Sequence, residues 1–289
     1  MQPVFISLAM IDKRKLYYLM GPQLRRWARR VYYYPADLRD TLSGRRDPMI
    51  PPRGRVFIGY GDFRQQGERL MQQLIDYAGL KPYHRVLDIG CGIGRLAVPL
   101  TGYLNDEGSY EGFDIVRSAI QWCKKKISSA HPRFQFRHIH LRNDLYNLQT
   151  RNKASHFAFP YESGQFDVVF LFSVFTHMLP EDVENYLGEI ARVLKPGGRC
   201  LSTFFVMNEE TKQRMDAFEG LKFVHDKGDY LLMDPKVKEA NVAYREKPLL
   251  QSIHNQGLKL ESIHYGYWSG RKKEDCVDFQ DVLIFSTQS

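Results

Sequence analysis

The chain has 289 residues, 43% apolar and 26% charged, which is the balance of an ordinary soluble globular protein and enough for one large α/β core with an appendage. Its four cysteines, Cys91, Cys123, Cys200 and Cys276, make no C-x-x-C pair and have no histidines at zinc spacing, so neither a disulfide framework nor a metal site is expected, and a cytoplasmic location is. The formal charge of +8 lies wholly in residues 1–55, which hold 12 Lys and Arg against 4 Asp and Glu; the remainder carries 29 of each sign.

An apolar run from Pro3 to Ile11 opens the chain, but Lys13, Arg14 and Lys15 follow it and no small-residue cleavage site does, so it does not read as a secretion signal. Pro22 to Tyr33 reads as a helix, with Pro22 suited to its first turn and Pro35 stopping it. The stretch Arg25 to Tyr34 interleaves arginines with aromatics. This suits an anionic membrane surface, a nucleic acid or an acidic substrate, or else a solvated face whose aromatics pack on the core. Asp47 to Gly54 is a proline-rich, extended connector. The segment Phe57–Phe63 precedes a helix over Arg64–Ala78, where Leu70, Met71, Leu74 and Ile75 recur at helical spacing and Gly79 is the C-cap.

Val86 to Leu96 begins as a buried strand and ends as a helix, with Gly90, Gly92 and Gly94 between. Glycine reaches positive φ and lets a ligand approach the backbone, and Asp88 at the strand end offers a carboxylate. A dinucleotide fingerprint would need glycine at position 95, which is Arg95, and no G-x-x-x-x-G-K-[ST] loop occurs. Then follow a helix (Arg95–Tyr103), a strand (Gly108–Asp114), a helix (Ile115–Ser128) and a strand (Phe134–Ile139). A polar connection over 140–165 turns at Phe159-Pro160-Tyr161. Phe166–Phe172 is a strand buried on both faces, Pro180–Leu194 a helix, Lys195–Gly198 a turn and Arg199–Val206 a strand. The longest interior apolar run, Val168 to Phe175, is too short to span a bilayer. Residues 207–245 look irregular. Pro248–Gln256 is a helix, and Leu258–Tyr265 with Phe279–Ser286 form a closing antiparallel pair around Ser269-Gly270. Alternating strands and helices give βαβ units and a parallel sheet.

The pattern D-x-G-x-G-x-G at Asp88–Gly94 resembles the first motif of class I S-adenosylmethionine-dependent methyltransferases, and Leu194-Lys-Pro-Gly-Gly198 resembles the family's fifth-strand motif. The resemblance covers residues 56–206 and, less securely, 247–289, but not 1–55 or 207–245. It implies a seven-stranded, mainly parallel Rossmann-like sheet with helices on both faces and an antiparallel C-terminal hairpin, preceded by a basic helical extension. The corresponding division is 1–55 extension, 56–206 cofactor-binding core, 207–246 lid or substrate-determining insertion, and 247–289 completion of the sheet.

In that family S-adenosyl-L-methionine lies across the glycine loop, here Asp88, Gly90, Cys91 and Gly92. The residue matching Asp114 takes the ribose hydroxyls and its neighbour Ile115 packs on the adenine. By position, Phe172 and Ser173 line the methionine end. At the end of the third strand, His140, Asn143 and Asp144 compete for the adenine amine. His177, just past the fourth strand, is the catalytic candidate, since a hydroxyl acceptor must lose its proton. Tyr161, His225 and Tyr230 are further polar aromatics in candidate lid segments.

The expected function is methyl transfer to a small or medium-sized acceptor, through oxygen. The acceptor enters under a lid of Phe57–Phe63 and residues 207–245, which carry Phe218, Phe223, Tyr230 and Tyr244. The tetrapeptide [DN]-P-P-[YF] of exocyclic-amine enzymes and the Pro-Cys of cytosine-carbon enzymes are absent after the fourth strand, which argues against a nucleic-acid acceptor. The alternatives are an RNA or protein methyltransferase that uses the basic N-terminus, and a non-catalytic cofactor-binding regulator. Peripheral contact of the N-terminal helix with an anionic membrane is a further expectation.

Overall fold

The computed structural model describes residues 21–44, 46–57 and 61–288. The run Pro3–Ile11 and the middle of the Phe57–Phe63 segment therefore lie outside the described residues. In chain order the core elements are α1 (Pro22–Leu42), α2 (Phe63–Ala78), β1 (Arg85–Ile89), α3 (Ala97–Tyr103), β2 (Ser109–Asp114), α4 (Arg117–Cys123), β3 (Phe134–His138), β4 (Phe166–Leu171), α5 (Pro180–Val193) and β5 (Leu194–Phe204). There follow β6 (Val206–Met207), α6 (Glu209–Ala217), β7 (His225–Asp226), β8 (Tyr230–Leu232), β9 (Val242–Arg245), α7 (Glu246–Asn255), β10 (Leu258–His264) and β11 (Asp281–Thr287).

Seven strands form one sheet in the order β10-β11-β5-β4-β1-β2-β3. Strands β1 to β5 run parallel, and β11 is antiparallel to both β5 and β10. This is the α/β architecture that the alternating pattern implies. Neighbouring residues of β1 point to opposite faces: Val86 joins a core half with Leu74, Leu100 and Ile120, while Leu87 joins one with Phe175, Leu187 and Phe204. Helices cover both faces, which is why Phe166–Leu171 is almost continuously apolar. Strand order reverses between β1 and β4, which opens a crevice at their carboxyl ends.

Two expectations are corrected. Helix α1 does not stop at Pro35 but runs through it to Leu42. The lost amide donor is compensated downstream, where the Asp37 carboxylate accepts from the backbone N–H of Arg53 (2.6 Å) and Gly54 (3.0 Å) and so ties the second half of the helix to the proline-rich connector. Residues 207–245 are not irregular. They hold α6 and most of a second, four-stranded sheet (β6-β9-β8-β7) around a small core of Phe205, Met215, Phe223 and Trp268. Strands of two to four residues leave too little period for sequence patterning to register.

The insertion is stitched to the main sheet. Asp281, fully buried, accepts from Val206 N (2.6 Å), Gly266 N (2.7 Å) and Trp268 Nε1 (2.8 Å). At the other end Glu246 Oε2 accepts from Asn208 Nδ2 and Tyr265 Oη, both at 2.7 Å. Among the described residues no helix is long and apolar enough to cross a membrane, and no group of His, Cys, Asp and Glu is placed to hold a metal.

Candidate active site

The crevice at the carboxyl ends of β1, β2 and β4 holds two adjoining cavities that share Gly90, Phe172 and Ser173 in their walls. The larger, about 320 Å³, is lined by Asp88, Gly90, Cys91 and Gly92 on one side and by Arg69 of α2, Asp278 and Gln280 on the other. The smaller, about 100 Å³, is lined by Asp114, Ile115, Asn143, His177 and Glu239. Of the residues named from sequence, Asp88, Gly90, Cys91, Gly92, Asp114, Ile115, Phe172, Ser173 and His177 each line one or both cavities.

The glycine loop is built on left-handed backbone. Gly90, Gly92 and Gly94 have φ of 75°, 55° and 81°, which side-chain-bearing residues rarely adopt. A Cβ on Gly90 would also sit 2.5 Å from Val174 Cγ2. The loop is closed from beneath, with Gly90 and Cys91 N–H donating to the Phe113 carbonyl at 2.9 and 3.1 Å.

Two buried carboxyls flank the loop. Asp88 takes a 2.6 Å hydrogen bond from Tyr110 Oη. Sheet register explains the reach: Asp88 lies opposite Gly112, which has no side chain to block the Tyr110 ring on the same face. Burial raises the Asp88 carboxyl to about 7, the Tyr110 hydrogen bond lowering it and Asp114 adding to the rise. Asp114 accepts from Gly92 N at 2.8 Å through Oδ2 and from Val116 N at 2.7 Å through Oδ1. Burial raises this carboxyl too, against the pull of those two N–H groups. Asp114 therefore braces the glycine loop as well as facing the cavity. The Cys91 thiol is pushed up by burial and stays protonated.

Ser173 is the non-glycine residue at left-handed φ (58°) among the described residues. Its N–H donates to Thr203 Oγ1 (2.8 Å) and its hydroxyl to Gln280 Oε1 (2.9 Å), so β4, β5 and the segment before β11 jointly hold it there. A strained residue at a strand end in a cavity wall is a site feature.

The His177 ring meets the Glu239 carbonyl through Nδ1 at 3.0 Å, which assigns the proton to Nδ1 and makes Nε2 the lone-pair nitrogen. Burial lowers its pKa, keeping the ring neutral, although carbonyls of the 239–240 turn pull the other way. Tyr146 packs edge-on at 5.7 Å between ring centres. Of the three residues competing for the adenine amine, Asn143 lines the small cavity but spends its amide on the fold: Oδ1 accepts from Leu145 N and Tyr146 N, and Nδ2 donates to the His177 carbonyl. His140 is exposed, and Asp144 is salt-bridged to Arg142 at 3.2 Å.

The aromatics expected in a lid divide. Phe223 and Tyr244 are buried in cores, Tyr244 donating to the Met178 carbonyl at 2.6 Å, and Phe218 is exposed. Tyr161 packs on Phe113, and neither it nor His225 or Tyr230 lines either cavity. What the insertion brings to the crevice is Glu239, whose carboxyl accepts from Asp144 N at 2.5 Å and is raised by burial to about 7. Glu239, Arg69, Asp278 and Gln280 were not legible in sequence, since each arrives from an element outside the motif-bearing strands. Tyr110 carried a signal: a tyrosine inside a strand buried on both sides needs a partner for its hydroxyl.

Residues 87–202 match the family described as methyltransferase domain. Over 142 residues the chain is 32% identical to the tRNA N(3)-cytidine methyltransferase METTL2 of Gallus gallus, covering 46% of this chain and 34% of that one. It is 34% identical over 119 residues to phthiotriol/phenolphthiotriol dimycocerosates methyltransferase 1 of Mycobacterium ulcerans, covering 41% and 36%. The match thus spans about a third of the length of each of these two relatives. In fold, a solved protein of Pyrococcus horikoshii OT3 superposes with a TM-score of 0.54 at 18% identity, over 83% of this chain and 100% of that one.

Proposed function

We propose that the chain, whose residues 87–202 match the methyltransferase-domain family and whose seven-stranded, mainly parallel sheet is the one that the class I resemblance implies, is an S-adenosylmethionine-dependent methyltransferase acting on a small or medium-sized acceptor through oxygen. One observation carries the reading: the two joined cavities at the switch point of the sheet, with Asp88 in the wall of one and Asp114 in the wall of the other. The residues present fit the cofactor. The glycine loop leaves the close approach that a Cβ at Gly90 would end, and two carboxyls suit a ligand that carries cationic centres and ribose hydroxyls. Asp88, Gly90, Cys91, Gly92, Phe172 and Ser173 would hold its methionine half, and Asp114 and Ile115 its nucleoside. When bound, the cofactor supplies an electrophilic methyl group on a sulfonium centre.

The chain's own part is positioning and proton transfer. Alignment in the crevice is worth up to about 7–11 kcal/mol of the barrier. His177 takes the acceptor hydroxyl proton at Nε2, its Nδ1–H held by the Glu239 carbonyl. A second reading, an RNA acceptor, is favoured by the tRNA-modifying relative, which acts at a ring nitrogen, outside the two chemistries whose motifs are missing here. It is favoured too by a cleft of about 600 Å³ lined by Arg26, Arg30, Arg117 and His138.

Calorimetric titration with S-adenosylhomocysteine tests the cofactor assignment. Binding lost in Asp114→Ala and retained in a distant surface variant such as Arg214→Ala supports it; binding absent in the parent chain, or unaffected by Asp114→Ala, overturns it. Release of S-adenosylhomocysteine with hydroxylated small molecules, compared with tRNA at rising salt, separates the two acceptors: steep salt dependence belongs to RNA.

A further inference from the structure

Helix α1 packs on the domain with its charged side and turns its apolar side outward. Arg25 donates to the Leu145 carbonyl and Arg26 to the Tyr146 carbonyl (3.4 Å), Asp37 is bonded to the connector, and Asp40 pairs with Arg53 at 3.3 Å. The opposite side carries Leu24, Trp27, Val31, Tyr34, Leu38 and Leu42 at steps of three and four residues, which align on one helix face. All six are between 44% and 79% exposed. With Tyr32, α1 supplies seven of the twelve exposed large apolar or aromatic side chains among the described residues.

From this we infer that α1 is an interfacial helix that lies on an anionic lipid surface. At 100° per residue Arg30 and Arg39 fall on either side of the stripe, both exposed; Asp37 lies about 20° beyond Arg30 but is turned to the connector by its two hydrogen bonds, and Asp40 falls on the protein side. The open side is therefore apolar along its centre, cationic along both edges and without a carboxylate. That is the charge complement of an anionic headgroup layer over acyl chains. Trp27, Tyr32 and Tyr34 have the amphipathic rings that settle at such a boundary. A second copy of the helix would set arginine against arginine at the edges, and a nucleic acid would leave the apolar stripe uncovered. The same helix lines a cleft with Ile115, His138 and Tyr146, so the lipid surface would lie beside the crevice that holds the site. This inference rests on the helix face and stands whether or not the chain transfers methyl groups.

Tryptophan emission tests it in the full chain. Of the three tryptophans, Trp122 and Trp268 are buried (8% and 0% exposed) and Trp27 is 62% exposed, so a change on binding reports α1. Phosphatidylcholine vesicles containing phosphatidylserine should shift the emission to the blue and carry the chain down on centrifugation, whereas phosphatidylcholine alone should not. Arg30→Gln with Arg39→Gln should weaken binding on the order of thirtyfold. Trp27→Ser with Leu38→Ser, both exposed and so harmless to folding, should abolish it with an unchanged thermal melt. Equal binding to neutral vesicles, survival of binding in the Trp27→Ser/Leu38→Ser variant, or Trp27 emission already blue before lipid is added would each overturn the inference. So would a dimer in sedimentation that the same two substitutions dissolve, since it would assign the stripe to a second copy.

Discussion

Asp88→Asn changes one atom at the centre of the site and removes a titration whose size follows from the structure. The Asp88 carboxyl is 5% exposed, and burial lifts it to about 7 from an ordinary value near 3.9. Because the folded chain holds this proton more tightly than the unfolded chain, the contribution to stability is fully present below about pH 4 and is lost as pH rises through about 7. At 1.36 kcal/mol for each tenfold in proton affinity, the loss is about 4 kcal/mol. Asparagine cannot titrate, and its Oδ1 still accepts from Tyr110 Oη, so the variant keeps the geometry. Urea unfolding of both chains from pH 4 to pH 8 measures the effect. Glu239 and Asp281 are also raised to about 7, so the parent alone would not isolate Asp88, but the difference between parent and variant does. The variant should gain on the parent across that window, ending about 4 kcal/mol ahead of where it began. Parallel stability curves would show that burial does not raise the Asp88 carboxyl, and this account of its titration would fall.

The other predictions concern geometry. Gly90→Ala forces a Cβ to 2.5 Å from Val174 Cγ2 at φ of 75°; thermal melts should show a loss of at least about 1–2 kcal/mol, and calorimetry a markedly weaker affinity for S-adenosylhomocysteine. His177→Gln should lower the rate on a hydroxyl acceptor by about 10²–10⁴ with S-adenosylhomocysteine affinity kept; an unchanged rate would reduce His177 to a brace for residues 239–240. Asp281→Ala strands the N–H groups of Val206, Gly266 and Trp268 in a dry interior and should cost about 3 kcal/mol or more in denaturant unfolding.

What sequence made legible was whatever repeats with a period or sits at a fixed offset in a motif. The parallel strands could be read because Phe166–Leu171 and Val86–Ile89 are apolar but for one aspartate each, and the site walls because Asp88, the glycines and Asp114 fall at or next to strand ends. Length defeated the reading of 207–245, where strands of two to four residues draw their stability from Phe223 and Trp268, outside their own span. Tertiary contact defeated the reading of Pro35: a bond from Asp37 to a connector sixteen residues on outweighs a local breaker. The expected aromatic lining from 207–245 is absent for a related reason, since aromatic residues record burial before they record ligands, and Tyr244 and Phe223 are core. Glu239, which does reach the crevice, is one of 33 acidic residues in the sequence, with no motif to single it out.

The double stitch at Asp281 and Glu246 bears on how such a chain can change. With the 207–245 excursion tied to the main sheet at Asp281 and its two ends tied to each other through Asn208 and Glu246, the loop-closure part of its free energy grows only as a slow logarithm of length, each doubling costing about 0.6 kcal/mol. The segment is thus a cassette in a socket. A longer, shorter or unrelated excursion between Val206 and Glu246 can be exchanged while the glycine loop, Asp114 and Ser173 keep their places. Such an exchange would alter Glu239 and the turn that holds His177, but none of the residues that line the larger cavity.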